Sequence, residues 1–162
     1  MILVGDIGGT KTVLALYSKE QGVTGGAIHE TRFESGKYSS LEAIILEFLR
    51  ETHAKPAAAS FGVAGPVKDQ QAQITNLPWS ISAENIRSSF DIPQVFLLND
   101  LESVALAVPH LDEEDLWHLN PGTTVPQGNI AVIAPGTGLG AAFLVWTGER
   151  YQACASEGGH AS

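Results

Sequence analysis

The sequence predicts an α/β fold built on a mixed sheet, followed by the start of a second, incomplete lobe. Three observations carry this. The chain opens on strands only, helical and strand patterns alternate from Ser39 onward, and a late glycine-turn hairpin repeats the opening plan. The 162 residues, 44% apolar and 17% charged, are enough to bury one sizeable core and are not those of a disordered tail.

Residues 2–5 form a short β-prone run, residues 6–10 a glycine-rich turn, and residues 12–17 are β-prone again, which predicts a hairpin. Gly25 and Gly26 turn the chain into a weaker alternating stretch, residues 28–33, expected as a third antiparallel strand. From Ser39 the period changes: Leu41, Ile44, Ile45, Phe48 and Leu49 fall on one helical stripe, with Ser39 and Glu42 spaced as a capping box. Residues 57–63 read as a buried strand stopped by Ala64-Gly65-Pro66, and Ser82 as the cap of a short helix reaching about Phe90. Asp91-Ile92-Pro93 breaks the chain before Val95-Phe96-Leu97-Leu98, expected as a fully apolar strand. Asn99 and Asp100 then begin a helical stretch through Val108.

Pro109, the acidic patch 112–115 and the Pro/Gly segment 120–128 read as a boundary. The expected organisation is therefore an N-terminal α/β lobe, 1–109, and the beginning of a second lobe, 110–162. Residues 130–134, 135–140 and 141–146 repeat strand, glycine turn and strand.

Nine basic against 18 acidic residues give a net charge of −9, which leaves no basic footprint for nucleic acid or for an anionic membrane surface. Phosphates on a ligand would have to be met by backbone N–H groups and a divalent metal rather than by a cluster of Lys and Arg. The lone Cys154 and the absence of CxxC pairs fit a reducing compartment, so the expected location is cytoplasmic. The apolar start, residues 1–4, is interrupted by Asp6 and reads as a first strand, neither signal peptide nor anchor.

Several residues are candidates for chemistry. In the turn that holds Asp6, Gly8, Gly9, Thr10 and Lys11, the two glycines can take positive φ and come close to a ligand, so that successive N–H groups line a phosphate. Asp6 can hold magnesium through water. It is not a P-loop, which needs GxxxxGK[ST] before a helix, and a plain hairpin turn is the competing reading. Gly136, Thr137 and Gly138 form a second such turn; a strand follows it, so a dinucleotide fingerprint is excluded by its own context. Asn99 and Asp100 stand at the end of an apolar strand, where open α/β sheets bind ligands and where a carboxylate can serve as a base, unless they only cap the next helix. Glu157 and His160, separated by two glycines, can offer an acceptor and a donor to neighbouring hydroxyls of a polyol. Asn76 is a candidate ligand contact in a turn whose Trp79 is expected on the core.

Taken jointly, GDIGGTK (5–11), TNLPW (75–79), LLNDLESVA (97–105), PGTGLG (135–140) and SEGGH (156–160) resemble the bacterial glucokinases of the hexokinase and actin-like ATPase superfamily. The resemblance spans essentially the whole chain. It implies an actin-like ATPase (ribonuclease H-like) fold of two lobes with a cleft between them, and ATP-dependent phosphorylation of glucose with ATP and Mg2+. Asp100 would be the general base toward the sugar 6-hydroxyl, and Asn99, Glu157 and His160 would bond the sugar hydroxyls. Asp6 to Lys11 and the turn at Gly136, Thr137 and Gly138 would face the ATP phosphates and magnesium. The implied partners are glucose and ATP, with a homodimer for the full-length protein. The related ROK kinases and repressors share DIGGTK and a GTG turn, but TNLPW, NDLESVA and SEGGH are closer to the glucokinase branch. A non-catalytic sugar-binding or regulatory module is the rival from another class; it would need neither Asp100 as a base nor Asp6 as a metal-facing acid. Family members are considerably longer, so a truncated chain of weak or absent activity is expected.

Overall fold

The computed structural model describes residues 1–74, 76–120, 122–123, 125–135 and 139–156, and the chain separates into two compact units, Met1–Asp100 and Leu101–Ser162. The division falls ahead of Pro109, where the sequence reading puts it.

The first unit opens with β1 (Ile2–Ile7), β2 (Lys11–Tyr17) and β3 (His29–Glu34), an antiparallel meander. Then come α1 (Leu41–Thr52) and β4 (Ala58–Val63). Three short strands follow, β5 (Val67–Lys68), β6 (Gln71–Gln73) and β7 (Ser80–Ser82), and after them α2 (Ala83–Phe90) and β8 (Gln94–Asn99). β4 pairs parallel with β1, and β8 parallel with β4, giving a five-stranded mixed sheet in the order β3-β2-β1-β4-β8. Strands β5, β6 and β7 make a separate small antiparallel sheet.

Alternation along the strands sends one set of side chains into the core: Leu3 and Ile7, Leu14 and Leu16, Ala59, Phe61 and Val63, Val95 and Leu97. The stripe of α1 joins the same cluster through Leu41, Ile44, Ile45 and Phe48, all fully buried, as the helical spacing predicts. Trp79 is buried as expected, and its indole N–H donates to the Tyr38 carbonyl at 3.2 Å. Gly5 is required by this packing, because a Cβ there would come within 2.6 Å of the Phe61 ring.

Four details differ from the sequence reading. The cap of α1 is Ser40, not Ser39: its extended backbone leads into the helix, and its hydroxyl accepts from the Ala43 N–H at 3.3 Å. Ser82 does cap α2, accepting from the Asn85 N–H at 3.4 Å. Strand β8 is not buried on both faces; it is the edge of the sheet, and Phe96 is 51% exposed. The small sheet has no glycine signal, because the two-residue turn between β5 and β6 is Asp69-Gln70, with φ of 51° and 57°. Gly8 and Gly9 are not among the glycines with positive φ; the close approach of neighbouring atoms is what favours them.

α3 (Asp100–Ala107) begins on the last residue of the first unit. In the second unit, β9 (Ile130–Pro135), β10 (Leu139–Trp146) and β11 (Tyr151–Ser156) form an antiparallel sheet in the order β11-β10-β9, the same meander plan as β1 to β3. Its buried residues include Ala105, Ala142 and Leu144, and Gly140 lies directly against the Leu101 side chain. The acidic patch is an exposed 3-10 turn, Glu113–Asp115. Among the described residues, no helix is long and apolar enough to cross a membrane.

Candidate active site

Ile7, Val63 and Asn99 stand in one row across the parallel strands β1, β4 and β8. All three strands therefore end at the same edge of the sheet. The chain leaves each of them there: from β1 into the glycine turn 8–10, from β4 into residues 64–66, and from β8 into α3 at Asp100. This carboxyl edge is where open α/β sheets bind ligands, and the sequence candidates of the first unit collect along it.

The turn after β1 is held from beneath by Ser35. The Ser35 hydroxyl donates to the Gly8 carbonyl at 2.8 Å and shares a 3.0 Å bond with the buried Thr12 hydroxyl, while the Ser35 N–H donates to the Thr10 carbonyl at 3.1 Å. The Gly8 N–H closes the turn on the Lys11 carbonyl at 2.9 Å. Because a trans peptide points its C=O and N–H in opposite directions, turning the Gly8 carbonyl toward Ser35 turns the Gly9 N–H away from it. Such a turn can present backbone N–H to an anion.

Both glycines are sterically set. A Cβ on Gly8 would lie 3.0 Å from the Lys11 carbonyl oxygen, and one on Gly9 would lie 3.3 Å from the Asn76 Cβ. Asn76, exposed in the turn between β6 and β7, is thus brought beside Gly9. That turn is fixed by the Leu77 N–H on the Ile74 carbonyl at 3.3 Å and by Trp79 in the core. Asp6, Thr10 and Lys11 are exposed.

Asn99 and Asp100 are half-buried, as a strand end going over to a helix would leave them. The Asn99 side-chain amide donates to the Gly65 carbonyl at 3.0 Å, which ties the end of β8 to the turn after β4. Gly65 cannot carry a side chain here, since a Cβ would lie 2.8 Å from the Gln73 carbonyl oxygen. The sequence reading missed Ser35 and Gln70 and took Gly65 only as part of a turn; all three brace the edge.

Glu157 and His160, like Gly136, Thr137 and Gly138, lie outside the described residues, as does Thr75. The strands that lead to them are in place: β9 ends at Pro135, β10 starts at Leu139 and β11 ends at Ser156. Among the described residues, no three His, Cys, Asp or Glu side chains gather as a metal cage. Asp6 offers a single exposed carboxylate, which suits a magnesium ion that arrives on substrate phosphates, because such an ion commonly takes only one or two protein carboxylates.

Comparison with known proteins identifies the family. The family model described as Glucokinase matches residues 3–162. A glucokinase of Nostoc sp. PCC 7120 is 38% identical over 163 aligned residues, covering 99% of this chain and 48% of that protein. The crystal structure of a glucokinase from an Antarctic psychrotroph superposes with a TM-score of 0.87 at 36% identity, over 99% of this chain and 51% of the other. The glucokinase of Balamuthia mandrillaris, solved in complex with glucose, has a TM-score of 0.70 at 22% identity over 96% of this chain and 47% of its own, and shows the fold alone. The chain spans about half the length of the curated relatives it matches.

Proposed function

The chain belongs to the glucokinase family, and on that premise we propose that the protein carrying it transfers the γ-phosphoryl group of ATP to the 6-hydroxyl of glucose, the first step of glycolysis. The observation that supports this most is the shared sheet edge. A carboxylate at the end of β8 and a glycine turn at the end of β1 flank one strand, β4.

In this reading Asp100 accepts the proton of the attacking hydroxyl, and Asn99, Asn76, Glu157 and His160 bond the sugar hydroxyls so that the oxygen is held in line. The residues from Asp6 to Lys11 and the turn of Gly136, Thr137 and Gly138 face the phosphates, offering backbone N–H groups and the Thr10 hydroxyl. Asp6 would hold magnesium through water, and the ion, when bound, would supply neutralisation of the charge that develops on the phosphates in transfer. Phosphates handled this way need no cluster of basic side chains, which agrees with a net charge of −9. The protein is cytoplasmic and homodimeric in this reading.

Asp100→Asn, made at the full length of the relatives, tests the base. Turnover should fall by roughly two to four orders of magnitude while the affinity for glucose, measured by calorimetry, stays close to that of the parent. A near-normal rate removes Asp100 from the role.

A further inference from the structure

Among the described residues β8 is an edge strand with no neighbouring strand on the outer side of its backbone, yet at Leu97 that backbone is filled. The Leu97 N–H donates to Gln70 Oε1 at 2.8 Å, and the Leu97 carbonyl accepts from Gln70 Nε2 at 3.3 Å. One side-chain amide thus makes the pair of bonds that a residue of a further antiparallel strand would make with its own N–H and C=O. Gln70 is itself fixed: it sits in the two-residue turn between β5 and β6 at φ 57°, and its carbonyl accepts from the Ala83 N–H at 3.1 Å, where α2 begins. The other end of the same segment makes a second tie, from the Asn99 amide to the Gly65 carbonyl at 3.0 Å. Segment 65–70 therefore grips β8 at Leu97 and again at Asn99, immediately before Asp100.

We propose that Gln70 is a positioning residue for the Asn99–Asp100 pair, its amide standing in for a sixth strand that fixes where β8 ends. This rests on the reading of Asp100 as the base. A displacement of about 1 Å at such a group costs up to 10²-fold in rate, so a tie three residues away from it along the chain is close enough to matter. Among the described residues the Gln70 side chain bonds to Leu97 and not to Asp6 or to the glycine turn after β1, so its loss is expected to leave the phosphate side as it is.

The test uses the protein at the full length of its relatives, with Gln70→Met, which keeps the length of the side chain and loses both bonds, and Gln70→Glu, which keeps the acceptor for the Leu97 N–H and loses the donor. For Gln70→Met, kcat should fall roughly tenfold or more while KM for ATP stays within about twofold. Gln70→Glu should show the same split if Gln70→Met does not accumulate as folded protein. A lower melting temperature with kcat unchanged overturns the inference, because a brace needed only for folding behaves that way. Asp100→Asn, assayed alongside, separates the two failures: if it too keeps a near-normal rate, the reading of Asp100 falls; if it is slow while both Gln70 variants are normal, only the inference about Gln70 falls.

Discussion

Gly65 shows how one residue can serve a site without touching a ligand. Its carbonyl receives the Asn99 amide, and its missing side chain leaves room for the Gln73 carbonyl oxygen, which would stand 2.8 Å from a Cβ. Gly65→Ala forces backbone against backbone, and a clash of that kind costs about 1–3 kcal/mol. The expected outcome is a denaturation midpoint lowered accordingly, together with weaker glucose binding because Asn99 loses its anchor. A variant as stable as the parent would contradict this packing. Asn99 and Asp100 were legible in the sequence because a polar pair ends an apolar run. Gln70 was not, since a glutamine in a turn carries no pattern, and only the fold brings it to Leu97. The glycine turn after β1 was legible as a turn, but the reason for its glycines was not: they are set by the nearness of the Lys11 carbonyl and of Asn76, not by positive φ.

Among the elements, α1 was the most legible. Its stripe gave its buried face, and the cap was misplaced by one residue. The difference is measurable. Ser40→Ala removes the bond to the Ala43 N–H and should cost about 1 kcal/mol, whereas Ser39→Ala should stay within about 0.5 kcal/mol of the parent in urea unfolding. The reverse order would restore Ser39 as the cap. β5, β6 and β7 were illegible because strands of two or three residues are too short to show a period and their turn lacks glycine. The apolar run of β8 suggested a buried strand, but hydrophobicity does not say whether a strand is central or at the edge. Phe96, on this edge strand, is half exposed.

At the scale of the molecule, the repeated plan was visible from the start, because two glycine turns each lie between β-prone runs. The structure extends it: β1 to β3 and β9 to β11 are both three-stranded antiparallel meanders, each in its own compact unit. The first of them is joined by parallel strands into a sheet with a single carboxyl edge, and the family model matches residues 3–162. What the sequence could not reveal at this scale is how the edge is braced, since Ser35 and the segment from Gly65 to Gln70 come from separate parts of the first unit. The most direct test of the central claim is a coupled assay for glucose 6-phosphate on the protein at the full length of its relatives, with glucose and magnesium ATP, alongside calorimetric titration of each ligand. Binding of both ligands with steady formation of glucose 6-phosphate is the predicted result; binding of glucose with no phosphoryl transfer would contradict the account and make the protein a sugar sensor.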